Sequence, residues 1–199
     1  MPRMIEFFFD YGSPYSYIAN AVLPDLARRH AAQIVYRPML LGGVFKATGN
    51  QSPMFESVAP KRAYGVLALR RTTAQFGVPF EHNPHFPINT LELMRTAVAA
   101  RHAGVFEPFH SAIYPAFWAK GRNLGDASVV AEVISAAGLD PAPLAELVAT
   151  RAVKDELRTT TEEAVARGAF GAPSMFFGGD LYFGVDHLQY LERALENAP

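Results

Sequence analysis

Three short stretches place polar groups at turns where a ligand could be gripped, and each also has a plainly structural reading. In "DYGSPYSY" (10–17), Ser13 directly precedes Pro14 after the apolar run Met4–Phe9. Serine followed by proline is a helix N-cap pair. The same corner offers unpaired N–H groups and the positive end of a helix dipole, which suits an anion. In "GAPSMFF" (171–177), Pro173 either opens a strand or forms a cis bond; in the second case Ala172 would present its N–H and C=O to an extended peptide. A cis bond is predicted here. In "FGVDHLQ" (183–189), Asp186 and Gln189 have the spacing of a capping box; the alternative is that Asp186 receives a ligand ammonium. Lys46, Asn50 and Lys61 are polar residues in a loop-like stretch, and Asn89 reads as an N-cap with Glu92 completing its box. The six histidines lack ligand spacing such as His-x-x-x-His, so no metal site is predicted. There are no cysteines. Any sulfur chemistry must therefore use sulfur brought by the ligand.

The elements that hold these residues follow from periodicity. Ile5–Phe9 is a nearly continuous apolar run, as in a strand buried on both faces. Ile18, Val22, Leu23 and Leu26 recur at helical spacing behind Ser13, and Gln33–Arg37 reads as a second strand ended by Pro38. Met175–Phe177 and Leu181–Phe183 flank Gly178-Gly179-Asp180, a hairpin signal, with a last helix after them. Between these ends the pattern is helical, over 61–76, 90–103, 108–119, 127–137, 141–150 and 152–167. Strand, helix, strand, then helices, then strand, strand, helix is an α/β layout: a thioredoxin-like βαβ…ββα domain (1–45 and 160–199) interrupted by an all-helical insertion (46–159). In that fold a Cys-x-x-Cys pair starts the first helix; here the four places read Ser13-Pro14-Tyr15-Ser16. Thiol redox cycling is lost and the anion-binding corner remains.

At 199 residues the chain suits one domain or a domain with a large insertion. Half the residues are hydrophobic and 19% are charged, a globular and not a disordered composition. A net charge of -1 without a Lys/Arg run argues against nucleic acid or an anionic membrane as partner. Glu6 and Asp10 interrupt the N-terminal apolar run, which makes a poor secretory signal, and a cytoplasmic location is expected.

Taken together, "FDYGSPYSY", "GNQSPMF...PKRAY", "FPINTLELMR", "GAFGAPSMFF" and "GDLYFGVDHL" resemble the 2-hydroxychromene-2-carboxylate isomerases, relatives of the kappa-class glutathione transferases. The resemblance spans essentially the whole chain, in order and spacing. It implies glutathione as cofactor, a small aromatic carboxylate as substrate, a homodimer, and interconversion of 2-hydroxychromene-2-carboxylate with trans-o-hydroxybenzylidenepyruvate in naphthalene-type catabolism. By position it makes Ser13 the catalytic residue that faces the glutathione sulfur. Ala172, before Pro173, pairs with the cysteinyl unit, and Asp186 receives the γ-glutamyl ammonium. Asn50 and Lys61 fall around glutathione and Lys46 and Asn89 near the substrate, with Lys46 or Lys61 the candidate for the substrate carboxylate. Relatives often carry a polar residue where this chain has Val185 and arginine where it has His187. The γ-glutamyl carboxylate would then rest on backbone N–H groups, at Gly184 and Val185. A conjugating glutathione transferase and a non-catalytic thioredoxin-like binding module are the competing readings.

Overall fold

The computed structural model describes residues 3–198. Strand β1 (Arg3–Phe9) lies at the centre of a four-stranded sheet ordered β2-β1-β3-β4, with β2 at Ala32–Pro38, β3 at Ser174–Phe177 and β4 at Asp180–Phe183. β2 runs parallel to β1, with Phe7 opposite Tyr36. β3 pairs antiparallel to β1 and to β4, closed by a two-residue Gly178-Gly179 turn. Alternation along β1 divides its side chains between two cores. Ile5, Phe7 and Phe9 enter the larger one; Phe8 packs with Met39, Val44, Ala164, Ala169 and Phe176 on the other side. This is the thioredoxin-like α/β fold that the order of elements predicted.

Helix α1 (Pro14–Arg29) buries Tyr17, Ile18, Leu23 and Leu26 against the sheet. After β2 come α2 (Leu41–Thr48), a 3-10 turn at Pro53–Phe55, α3 (Ala59–Gln75), α4 (Leu91–His102), α5 (Phe106–Trp118), α6 (Ala127–Ala136), α7 (Pro141–Ala149) and α8 (Arg151–Ala166). A second 3-10 turn, Val185–His187, leads into α9 (Leu188–Asn197). All six internal helices expected from periodicity begin and end within two residues of expectation, with α3 and α5 each beginning two residues early. Helix α2 was not anticipated. The expected boundaries at 45/46 and 159/160 fall inside α2 and α8, so neither is a linker.

Two caps differ from the sequence reading. The N-cap of α4 is Thr90, not Asn89; the Asn89 carboxamide oxygen instead accepts from Leu91 N–H at 3.0 Å, and Glu92 pairs with Arg95. Asp186 and Gln189 form no capping box. The helix there starts after His187, and Gln189 donates to the Asp186 backbone carbonyl at 3.2 Å.

Candidate active site

The β1–α1 loop folds into a corner because its backbone is tied from several directions. Ser13 N–H donates to Asp10 C=O at 3.0 Å, and Ser13 Oγ accepts from Ser16 N–H at 3.1 Å as the N-cap of α1. The Ser13 hydroxyl proton goes elsewhere: it is donated to the Ala172 carbonyl at 2.9 Å. The two stretches that looked like separate punctuation marks, 159 residues apart, thus meet through one hydroxyl. The Ala172–Pro173 bond is cis, as predicted, and Phe86–Pro87 is a second cis bond. Ala172 is partly exposed, and its N–H donates to no group among the described residues. Both serines are buried, Ser16 fully and Ser13 to 4% exposure.

Asp186 sits beside this corner. The Val185–His187 turn that carries it packs against α1, and burial first and the Asp186 charge second hold the Tyr15 hydroxyl above its ordinary pKa. The Asp186 side chain is exposed and makes no hydrogen bond or ion pair among the described residues. Its place is set by Gly184, whose φ of 84° and ψ of 164° suit glycine alone. A Cβ on Gly184 would lie 2.5 Å from Asp186 Oδ1. Gly184 N–H donates to the Pro173 carbonyl at 3.1 Å, which ties the Asp186 turn to the cis-proline loop. That bond corrects the expectation for Gly184: its N–H is already used. Val185 follows it, 5% exposed, at the start of the 3-10 turn, where the first N–H groups have no partner inside the turn.

The other expected residues are distributed unevenly. Asn50 reaches the cis-proline loop, donating from Nδ2 to Phe170 C=O at 2.9 Å. Asn89 adjoins Thr90, which touches the corner through Asp10. Lys46 lies exposed in the last turn of α2. Lys61 is 73% exposed on α3 and pairs with Glu56 at 2.5 Å; no contact draws it to Ser13. A cluster not foreseen brings ligand atoms of His30, Glu192 and Glu196 within 4.8 Å of one another at the far end of α1, where Arg29 already pairs with Glu192.

Sequence reading passed over the groups that hold the corner from behind. Asp10 is fully buried and accepts from Gly12 N–H, Leu41 N–H and the Thr90 hydroxyl. Tyr11 donates its hydroxyl to His110 Nδ1 at 2.8 Å, His110 Nε2–H donates to Asn20 Oδ1 at 2.7 Å, and Trp118 donates to Tyr11 C=O. Burial pulls His110 down to about 3, so it is neutral and acts as a fixed bridge. The available signal was an acid ending an apolar strand one turn before a Ser-Pro pair.

A family model described as a DSBA-like thioredoxin domain matches residues 4–196. The chain is 35% identical over 195 residues to the 2-hydroxychromene-2-carboxylate isomerase of Sphingobium xenophagum, covering 98% of this chain and 99% of that protein. It is 28% identical over 208 residues to glutathione S-transferase kappa 1 of Rattus norvegicus, covering 98% of this chain and 91% of that one. The solved structure of a 2-hydroxychromene-2-carboxylate isomerase matches with a TM-score of 0.82 at 27% identity, over 97% of this chain and 94% of the other.

Proposed function

Because this chain belongs to the DSBA-like thioredoxin domain family, and within it to the 2-hydroxychromene-2-carboxylate isomerases, we propose that it is a glutathione-dependent isomerase. It would interconvert 2-hydroxychromene-2-carboxylate and trans-o-hydroxybenzylidenepyruvate in aromatic-hydrocarbon catabolism. One observation carries the reading: a serine hydroxyl at a helix N-terminus touches the carbonyl of a peptide-presenting cis-proline loop, in a chain without cysteine.

Ala172 N–H and C=O, with Pro173 behind them, would hold the cysteinyl unit. Asp186 would take the ammonium, and the Val185 and Asp186 N–H groups the neighbouring carboxylate. The unpaired Asp186 charge and the unpaired Ala172 N–H fit a γ-glutamyl peptide. Asn50 would act through the Phe170 loop, Lys61 at the outer rim, and Lys46 with Asn89 at the substrate. Bound glutathione supplies a thiolate that adds reversibly to the conjugated substrate, so that a double bond becomes a rotatable single bond and the cofactor is returned unchanged.

Ser13 has one proton to give, and Ala172 C=O holds it. A ligand N–H arriving at that carbonyl replaces the hydroxyl as donor, and the hydroxyl turns to the sulfur while still accepting from Ser16 N–H. The magnitudes suffice. A free thiol has a pKa of about 8.5, and lowering it by about two units needs roughly 2.7 kcal/mol. A hydrogen bond to a charged group contributes roughly 1.5–3 kcal/mol and a helix N-terminus roughly 0.3–1 kcal/mol.

We assign the protein to the cytoplasm because glutathione sets the thiol pool there; no helix among the described residues is long and apolar enough to cross a membrane. A homodimer is supported by five large apolar side chains between Phe55 and Leu67, each 43–65% exposed. Exposed apolar clusters of this kind mark interfaces, and a second copy of this chain is the proposed occupant. The kinship with kappa glutathione transferases favours a second reading, conjugation of an electrophile. The test is calorimetric titration with glutathione followed by mass analysis of products. Binding with glutathione recovered unchanged is expected; an accumulating adduct would mean a transferase, and no binding at millimolar glutathione would mean a non-catalytic module.

A further inference from the structure

We propose that Asp10 is a positioning residue whose buried carboxylate locks the Ser13 corner to the first turns of α2 and α4, and so fixes the Ser13 hydroxyl relative to Lys46 and Asn89. This rests on the functional reading above.

Asp10 is 0% exposed and has no cationic partner among the described residues. A buried carboxylate is costly unless its oxygens are satisfied. Here they are satisfied by three segments far apart in the chain. Oδ1 accepts from Gly12 N–H at 2.8 Å, next to Ser13. Oδ2 accepts from Leu41 N–H at 2.8 Å, the first residue of α2, and from the Thr90 hydroxyl at 2.9 Å, the N-cap of α4. Neither helix has a side-chain cap of its own: Leu40 has no capping group, and Thr90 turns its hydroxyl away to Asp10. The carboxylate therefore caps one helix and recruits the cap of another. Their positive ends, with that of α1, offset its charge where no cation does.

Burial raises the Asp10 pKa and the three hydrogen bonds oppose that rise. The titratable side chains that feel the charge are Tyr11 and Tyr114, both neutral hydroxyls pushed up chiefly by their own burial. Contact reinforces the tether. A Cβ on Gly12 would lie 2.9 Å from Thr90 Cγ2, so the start of α4 abuts the backbone just before Ser13. Lys46 sits on α2 and Asn89 precedes Thr90, so all three proposed functional groups are referenced to one carboxylate.

A mere brace for the fold would lower thermal stability and leave the folded molecules' kinetics alone. Asp10→Asn keeps the shape but turns an NH2 toward one of the donors; Thr90→Val removes one tether and keeps the charge. Both are to be measured well below their melting temperatures, with circular dichroism confirming that they are folded. Asp10→Asn is expected to lower kcat about ten- to a hundredfold, the scale of misplaced reacting groups, without raising the titration midpoint of bound glutathione thiolate, since a negative charge has been removed. Thr90→Val is expected to lower kcat about threefold or more, a fraction of that misplacement, while glutathione affinity stays within about twofold. The double variant should be no worse than Asp10→Asn, because the tether is already cut. Both singles keeping wild-type kcat and KM while melting earlier would overturn the proposal; if Asp10→Asn does not fold, Thr90→Val decides by the same criterion. A wild type that binds no glutathione would overturn the functional reading first, and this assignment with it.

Discussion

The Asp186 carboxylate is the plainest case of a single residue whose structural explanation fails. The sequence offered a capping box, yet the side chain caps nothing and faces solvent beside Tyr15. Asp186→Asn should raise the KM for glutathione about three- to tenfold, as expected for an exposed charge in direct contact with a ligand ammonium. Turnover at saturating glutathione should hold, and steady-state kinetics with varied glutathione measures both. Gly184→Ala should raise the same KM, because its Cβ would meet Asp186 Oδ1 at 2.5 Å. Unlike Asp186→Asn it should also cost about 1–3 kcal/mol in denaturant unfolding, from a backbone conformation that suits glycine alone. Ser13, Pro173 and Asp186 were visible in the sequence because each sits at a turn that serine, proline or an acid punctuates. Asp10 was not, since its partners Leu41 and Thr90 lie 31 and 80 residues away and only tertiary packing brings them in.

At the scale of elements, periodicity found most helices because they bury one face; α3, whose one buried residue among those described is Thr73, was marked instead by the proline- and glycine-rich joints at its ends. Helix α2 escaped because Gly42 and Gly43 weaken it locally. It forms because Asp10 holds Leu41 N–H and Thr161 holds Leu40 N–H at 2.9 Å, both tertiary contacts. The outer face of the sheet carries a closed ring of charge over Phe8 and Phe176. Glu6 bonds Arg37 at 2.8 Å and Arg167 at 2.7 Å, and Glu163 bonds the same two arginines. The Arg167 hydrogen bond is the largest influence on Glu6 and, with both arginines' charges, outweighs burial to hold its carboxyl below the ordinary range. A depressed carboxylate contributes stability that is present above its unfolded pKa and lost as pH falls through the folded value. Wild type should therefore lose stability steeply below about pH 4, and Glu6→Gln should flatten that fall while costing about 1 kcal/mol at pH 7 after screening. Thermal melts from pH 3 to 7 test this, and parallel curves for the two proteins would show that the ring contributes nothing through Glu6.

For the whole molecule, Phe55 and Val58 just before α3 and Tyr64, Val66 and Leu67 in its first half form an apolar surface left exposed among the described residues. Light scattering should give a mass about twice 21.8 kDa, and Tyr64→Glu with Leu67→Glu should halve it; a wild-type monomer would remove the second copy from the proposal. Fold class was legible because element order specifies it, whereas the surface of α3 reads as an ordinary helix until its lack of a cover is seen. The proposed chemistry rests on Ser13 holding a thiolate that a chain without cysteine cannot itself supply. Ultraviolet absorbance of the thiolate, titrated against pH with glutathione bound to wild type and to Ser13→Ala, reads that directly. Removing a hydrogen bond to a charged group should raise the midpoint by about one to two units and lower the rate at neutral pH at least about tenfold. Equal midpoints in the two proteins would show that Ser13 only caps α1 and that the thiolate is held elsewhere.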